Sequence, residues 1–149
     1  MARRVRRVVS RLEEVVHEGQ LRYGSRADGP DRVAALLQEL IGDRAQETFV
    51  VLMLDTRHRV FGSAEVSLGT LSSALVHPRE TFGPALRLGA AAIVVAHVHP
   101  SGDPEPSPED LELTRRLIDV GRLLGIPVLD HIVIGDESFV SIRSRIDFG

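Results

Sequence analysis

Apolar positions recur along this chain with two periods, and the changes from one to the other divide it into elements. Val5, Val8, Val9, Leu12, Val15 and Val16 keep helical spacing, the pattern of an amphipathic helix with one buried face. Gly24, Ser25, Asp28, Gly29 and Pro30 then crowd the stretch from Leu21 to Pro30, which reads as a linker. Helical spacing returns at Val33, Leu36, Leu37, Leu40 and Ile41, predicting a helix capped by Asp31 and ended by Gly42. Strands are predicted from Phe49 to Leu54 and from about Arg59 to Val66, joined by a tight turn over Asp55-Thr56-Arg57-His58 in which His58 is a turn residue. Pro78 opens a second helix to about Leu88, closed by Gly89. The run Ala91 to Ala96 predicts a strand reaching His99, and a long helix from Pro108 to Leu124 buries Leu113, Leu117, Val120 and Leu124. Gly125 and Pro127 stop that helix before strands at Val128 to Ile134 and Ser138 to Ile142. The order predicts a mixed α/β domain over residues 31–149, preceded by a helix and linker over 1–30, with no internal repeat.

Composition narrows the class. With 149 residues, 43% of them hydrophobic, there is room for one core. No apolar run approaches the ~20 residues of a membrane span. The N-terminus is rich in arginine where a signal peptide would carry its apolar segment, so a cytoplasmic, non-membrane protein is expected. The absence of cysteine excludes disulfides, thiolate catalysis and thiolate-held zinc. All 18 basic residues are arginine, which excludes Schiff-base and phosphate-loop lysines. Charge is uneven: Arg3, Arg4, Arg6, Arg7 and Arg11 give the first eleven residues +5, so the remainder carries −8 of the net −3. Helical spacing makes that arm the outer face of a helix packing on this domain or on a second copy; contact with nucleic acid is the other reading.

Chemistry concentrates between His97 and Asp110. Period-two alternation places His97 and His99 on one face of a strand and Val98 on the other, so two imidazoles address one spot. Two such rings repel if both are charged and are costly to bury if nothing bridges them, and a metal ion is the simplest bridge. Ser107-Pro108-Glu109-Asp110 combines a helix cap, a proline at the first helical position and an acid in the first turn, which brings Asp110 back toward the histidines. Ser107 and Asp110 without the histidines would be an ordinary capping box. Two histidines, an aspartate and a water make the ligand set of a catalytic zinc site. Pro100, Pro104, Pro106 and Pro108 stiffen the intervening loop. Asp103 is either a partner for a ligand histidine or a turn former beside Gly102, the turn being favoured. The role of Asp130 is not evident, and His131 reads as a structural histidine rather than a fourth ligand.

The run His97-x-His99-Pro100, with Ser107 and Asp110 at fixed distance, resembles the signature of the JAB/MPN (JAMM) metalloproteases. The wording Pro100-Ser101-Gly102-Asp103-Pro104 through Pro106-Ser107-Pro108-Glu109-Asp110 is similar to its bacterial RadC branch. The resemblance extends from about Asp31 to Arg143. It implies one JAMM-like (cytidine-deaminase-like) domain, a central mixed sheet flanked by helices, with one zinc ion per chain held by His97, His99 and Asp110. It further implies that Ser107 hydrogen-bonds the water or the developing oxyanion. Its catalytic glutamate, just before the first core strand, corresponds to Glu47. Val98 stands where the family usually carries a polar residue, and with fewer than fifty residues ahead of Glu47 the helical domain of full-length RadC-type proteins is not expected there.

The resulting expectation is a zinc hydrolase of a peptide or isopeptide bond in a peptide or protein conjugate. In it, Glu47 is the general base for a metal-activated water. Two alternatives stand beside it: a DNA-associated factor, repair-linked or a nuclease, using the arginine arm, and a non-catalytic interaction domain with a structural metal.

Overall fold

The computed structural model describes residues 26–41, 48–68 and 76–149. The helix expected between Val5 and Val16, its arginine arm and Glu47 lie outside these residues. The elements are α1 (Pro30–Ile41), β1 (Thr48–Leu54), β2 (Val60–Leu68), α2 (Pro78–Leu88), β3 (Ala92–Val98), α3 (Pro108–Leu124), β4 (Val128–Ile134) and β5 (Phe139–Ser141), followed by a 3-10 turn, Ile142–Ser144. One sheet holds the strands in the order β2-β1-β3-β4-β5. β1 is antiparallel to β2 and β3, β4 is parallel to β3, and β5 is antiparallel to β4. The parallel pair requires a crossover connection, and α3 supplies it.

Both faces of the sheet are covered, which is why β1 and β3 are buried along their full lengths. Phe49, Val51, Met53, Ile93 and Val95 pack with Phe82 of α2 and Leu113 and Leu117 of α3. Val50, Leu52, Leu54, Val94, Ala96 and Val98 pack with Val33, Leu36 and Leu37 of α1. His97 alternates onto the α2/α3 side. Between β3 and β4 the register slips: Ile93 pairs with Val128 but Val94 with Asp130, so Leu129 is an extra residue. That bulge sets His131 opposite Val95, and its ring reaches Thr114 on α3.

β1 begins one residue early, at Thr48, and β2 runs on to Leu68; three other boundaries differ from the pattern-based expectation for a visible reason. The first helix starts at Pro30, because the Val33 N–H bonds the carbonyl of Gly29 (φ 97°), leaving Asp31 in the first turn rather than at the cap. Strand β3 ends at Val98, so His99 is one step beyond it, still tied by its N–H to the Ile134 carbonyl. The final strand is shorter than expected and gives way to the 3-10 turn. The buried Asp130 carboxylate accepts from Ser141 Oγ and from the Arg143 N–H, which draws the chain out of the ladder. Among the described residues no helix is long and apolar enough to cross a membrane.

Candidate metal centre

Because β3 ends at Val98, its last inward-facing ring, His97, stands at the rim of the α2/α3-side core, and His99 follows one pleat later. Their Nε2 atoms are 2.9 Å apart. The chain then turns, the Gly102 N–H bonding the His99 carbonyl, and Gly102 takes φ 84°. A side chain at Gly102 would run into Asp136 of the β4–β5 turn, whose own N–H bonds the Gly102 carbonyl. The loop is thus held against the sheet edge.

Helix α3 begins with a complete capping box. Ser107 Oγ accepts the Asp110 N–H (3.1 Å) while Asp110 Oδ2 accepts the Ser107 N–H (2.8 Å). The box fixes the carboxylate, and the fold aims it: Asp110 Oδ2 is 3.1 Å from His99 Nε2 and Oδ1 is 3.3 Å from His97 Nε2. His97, His99 and Asp110 each offer one donor atom, all within 4.8 Å of one another. Donors placed tetrahedrally at about 2.0–2.1 Å from zinc stand ~3.3 Å apart, close to the separations found here. His99 and Asp110 are each 17% exposed, so the cluster opens to solvent on their side.

The atoms not turned toward the centre are engaged. His99 Nδ1 lies 2.8 Å from the Asp103 main-chain carbonyl, an acceptor only, so that nitrogen carries a proton, and in a neutral ring Nε2 then has the lone pair that a metal ion needs. Asp103 therefore does both things weighed for it: its carboxylate makes a turn by accepting the Glu105 N–H, and its carbonyl orients a histidine. His97 Nδ1 lies 2.8 Å from His131 Nε2, and His131 Nδ1 lies 2.6 Å from Thr114 Oγ1. Phe49 stacks on His97 and meets His131 edge-on. His131 is thus not an isolated structural histidine but the next link from His97. Its signal in the sequence was slight: an inward position on a strand, and Thr114 one turn after Asp110.

Burial pushes the Asp110 carboxyl up, but in the metal-free centre, where protons on the His97 and His99 rings stand in for an ion, hydrogen bonds from His97 and His99, the charge of His97 and the Ser107 N–H outweigh it and hold the group far below the usual carboxylate range. Burial, reinforced by His97, drives His131 well below the ordinary histidine range, with Asp110 opposing. Burial raises the Asp130 carboxyl despite the bonds from Ser141, His131 and Arg143.

Residues 27–146 match the family described as "RadC-like JAB domain". The chain belongs to that family. Curated relatives described as UPF0758 proteins include those of Syntrophotalea carbinolica (47% identical over 125 residues, 84% of this chain and 55% of the relative) and Desulforudis audaxviator (50% over 114 residues, 76% and 50%). A third, from Bacillus cereus, is 47% identical over 128 residues, 86% of this chain and 56% of the relative. The chain spans about half the length of these relatives. Within this RadC-like JAB domain, the fold brings His97, His99, Asp110 and Ser107 together, while Glu47 falls outside the described residues. Two imidazoles and a carboxylate, with no thiolate, suit a divalent ion of borderline hardness.

Proposed function

We propose that this RadC-like JAB domain is a zinc-dependent hydrolase of a peptide or isopeptide bond, with His97, His99 and Asp110 holding one zinc ion. The observation that carries this reading is the convergence of three donor atoms whose neighbouring polar atoms already have partners. Zinc at such a site polarises a carbonyl and makes water acidic enough to attack near neutral pH.

The chain's own residues supply the remaining chemistry. Glu47, next to the first residue of β1, takes a proton from the attacking water on its carboxylate and delivers it to the leaving amine. General catalysis of this kind is worth a hundred- to ten-thousandfold, about 3–5 kcal/mol. Ser107 spends a lone pair, not its proton, on the helix cap, so its O–H can hydrogen-bond the oxygen that gains charge as the carbonyl is attacked. A neutral His99, with its proton on Nδ1 donated to the Asp103 carbonyl, keeps its ring oriented through the reaction.

Metal content and cleavage of a library of linear and isopeptide-linked peptides test this in wild type, His99→Ala and Glu47→Gln. His99→Ala is expected to lose zinc and cleavage together; Glu47→Gln is expected to keep zinc and lose at least about a hundredfold in turnover. Equal turnover by Glu47→Gln and wild type would remove the base, and no cleavage by zinc-loaded wild type would remove the hydrolase.

A further inference from the structure

We propose that His131 is a positioning residue for this centre: as the neutral Nδ1–H tautomer anchored on Thr114, it accepts the Nδ1–H of His97 and so fixes His97 with its Nε2 lone pair toward the metal. The inference rests on the reading of His97, His99 and Asp110 as metal ligands.

The proton positions follow by elimination. Thr114 Oγ1 lies 2.7 Å from the main-chain carbonyl of Asp110, one helical turn back. A carbonyl only accepts, so the single hydroxyl proton of Thr114 goes there, and Thr114 meets His131 Nδ1 with a lone pair. His131 Nδ1 must then carry a proton. The ring has no solvent contact and, among the described residues, no carboxylate bonded to it, so it holds one proton and remains neutral. Its Nε2 is therefore an acceptor, and His97 Nδ1, 2.8 Å away, is the donor. A neutral His97, the form that can ligate a metal ion, then has its lone pair on Nε2, the atom that faces His99 and Asp110.

Run in the opposite direction, the same heavy atoms would give a different site. A proton on His131 Nε2 would be donated to His97 Nδ1, and His97 would carry its own proton on Nε2, filling the centre with hydrogen bonds in place of a metal ion. What prevents this is the helical carbonyl that claims the hydroxyl proton of Thr114. Asp110 thus acts at both ends: its carboxylate faces the centre and its carbonyl terminates the chain that orients His97.

Two measurements on the full chain test the assignment, with zinc alone as the probe. Long-range 1H–15N correlation spectra of the zinc-loaded protein should show His131 protonated on Nδ1 and bare on Nε2, with His97 protonated on Nδ1. Competition against a chromogenic chelator should show zinc affinity falling about 10- to 100-fold in His131→Leu. Most of that loss should be recovered in His131→Gln, whose amide oxygen reaches the place of Nε2. Thr114→Val should weaken binding and Thr114→Ser restore it. Wild-type binding with His131→Leu unaffected, or a proton on His131 Nε2, would overturn this inference alone. Failure of wild type to bind zinc would overturn the metal centre and the inference with it. Should His131→Leu not fold, the wild-type spectra decide.

Discussion

At the scale of single residues, each histidine of the centre divides its two nitrogens between opposite duties, and at His97 and His131 burial enforces the division. His131 shows this most sharply, because its folded environment denies it a second proton that the unfolded chain accepts. Burial, then His97, lower its proton affinity, with Asp110 opposing and His99 adding. An unfolded histidine takes up a proton near pH 6.5, so below that value the unfolded state binds more protons and stability rises with pH. Metal-free protein is therefore expected to lose stability as pH falls below about 6.5, by at most about 1.4 kcal/mol per pH unit from this residue. Asp110 acts with the same sign in a lower window: its depressed folded value contributes stability present above the ordinary carboxylate range and lost as pH falls through that folded value. Urea midpoints at pH 7 and pH 5.5, compared between metal-free wild type and His131→Gln, read the histidine's share. A variant as acid-sensitive as wild type would contradict it.

Elements are governed by patterns short enough to be local. The capping box at Ser107 and Asp110 and the span of α3 followed from residues within one turn and one helical period. The end of the last strand did not, because Asp130 reaches it from β4 through Ser141 and Arg143. The alternation of β3 also separates two roles along one strand. His97 faces the α2/α3 side, whereas Val98, 8% exposed, belongs to the core under α1. Position 98 thus feeds the opposite core rather than the side that holds His97. Val98→Asn is expected to cost about 1–3 kcal/mol through a buried amide without a built partner, while zinc affinity stays at the wild-type value. Urea denaturation paired with a zinc titration checks both halves, and a weakened zinc site would mean that the two faces are coupled.

The whole molecule matters because the three donors come from separate pieces: the end of β3, the loop beyond it and the first turn of α3. An ion shared among them would resist the separation of sheet and helix that unfolding requires. Zinc at about a hundredfold above its Kd should add about 2.7 kcal/mol. For a chain of this size that raises Tm by roughly 5–11 °C. Thermal denaturation with and without zinc should show the rise in wild type and none in His99→Ala; a flat response in wild type would deny the ion any purchase on the native state. The sequence by itself determined the periodic elements and the convergence of His97, His99 and Asp110, because all three lie within fourteen residues and local geometry carries them to one spot. Tertiary structure alone decided what orients them. His131 is 34 residues from His97 and comes from a different strand, and the acceptor on His99 is a main-chain carbonyl of Asp103. A peptide oxygen is common to every residue type, and strand register is set by packing across the sheet, so neither leaves a mark in the order of side chains.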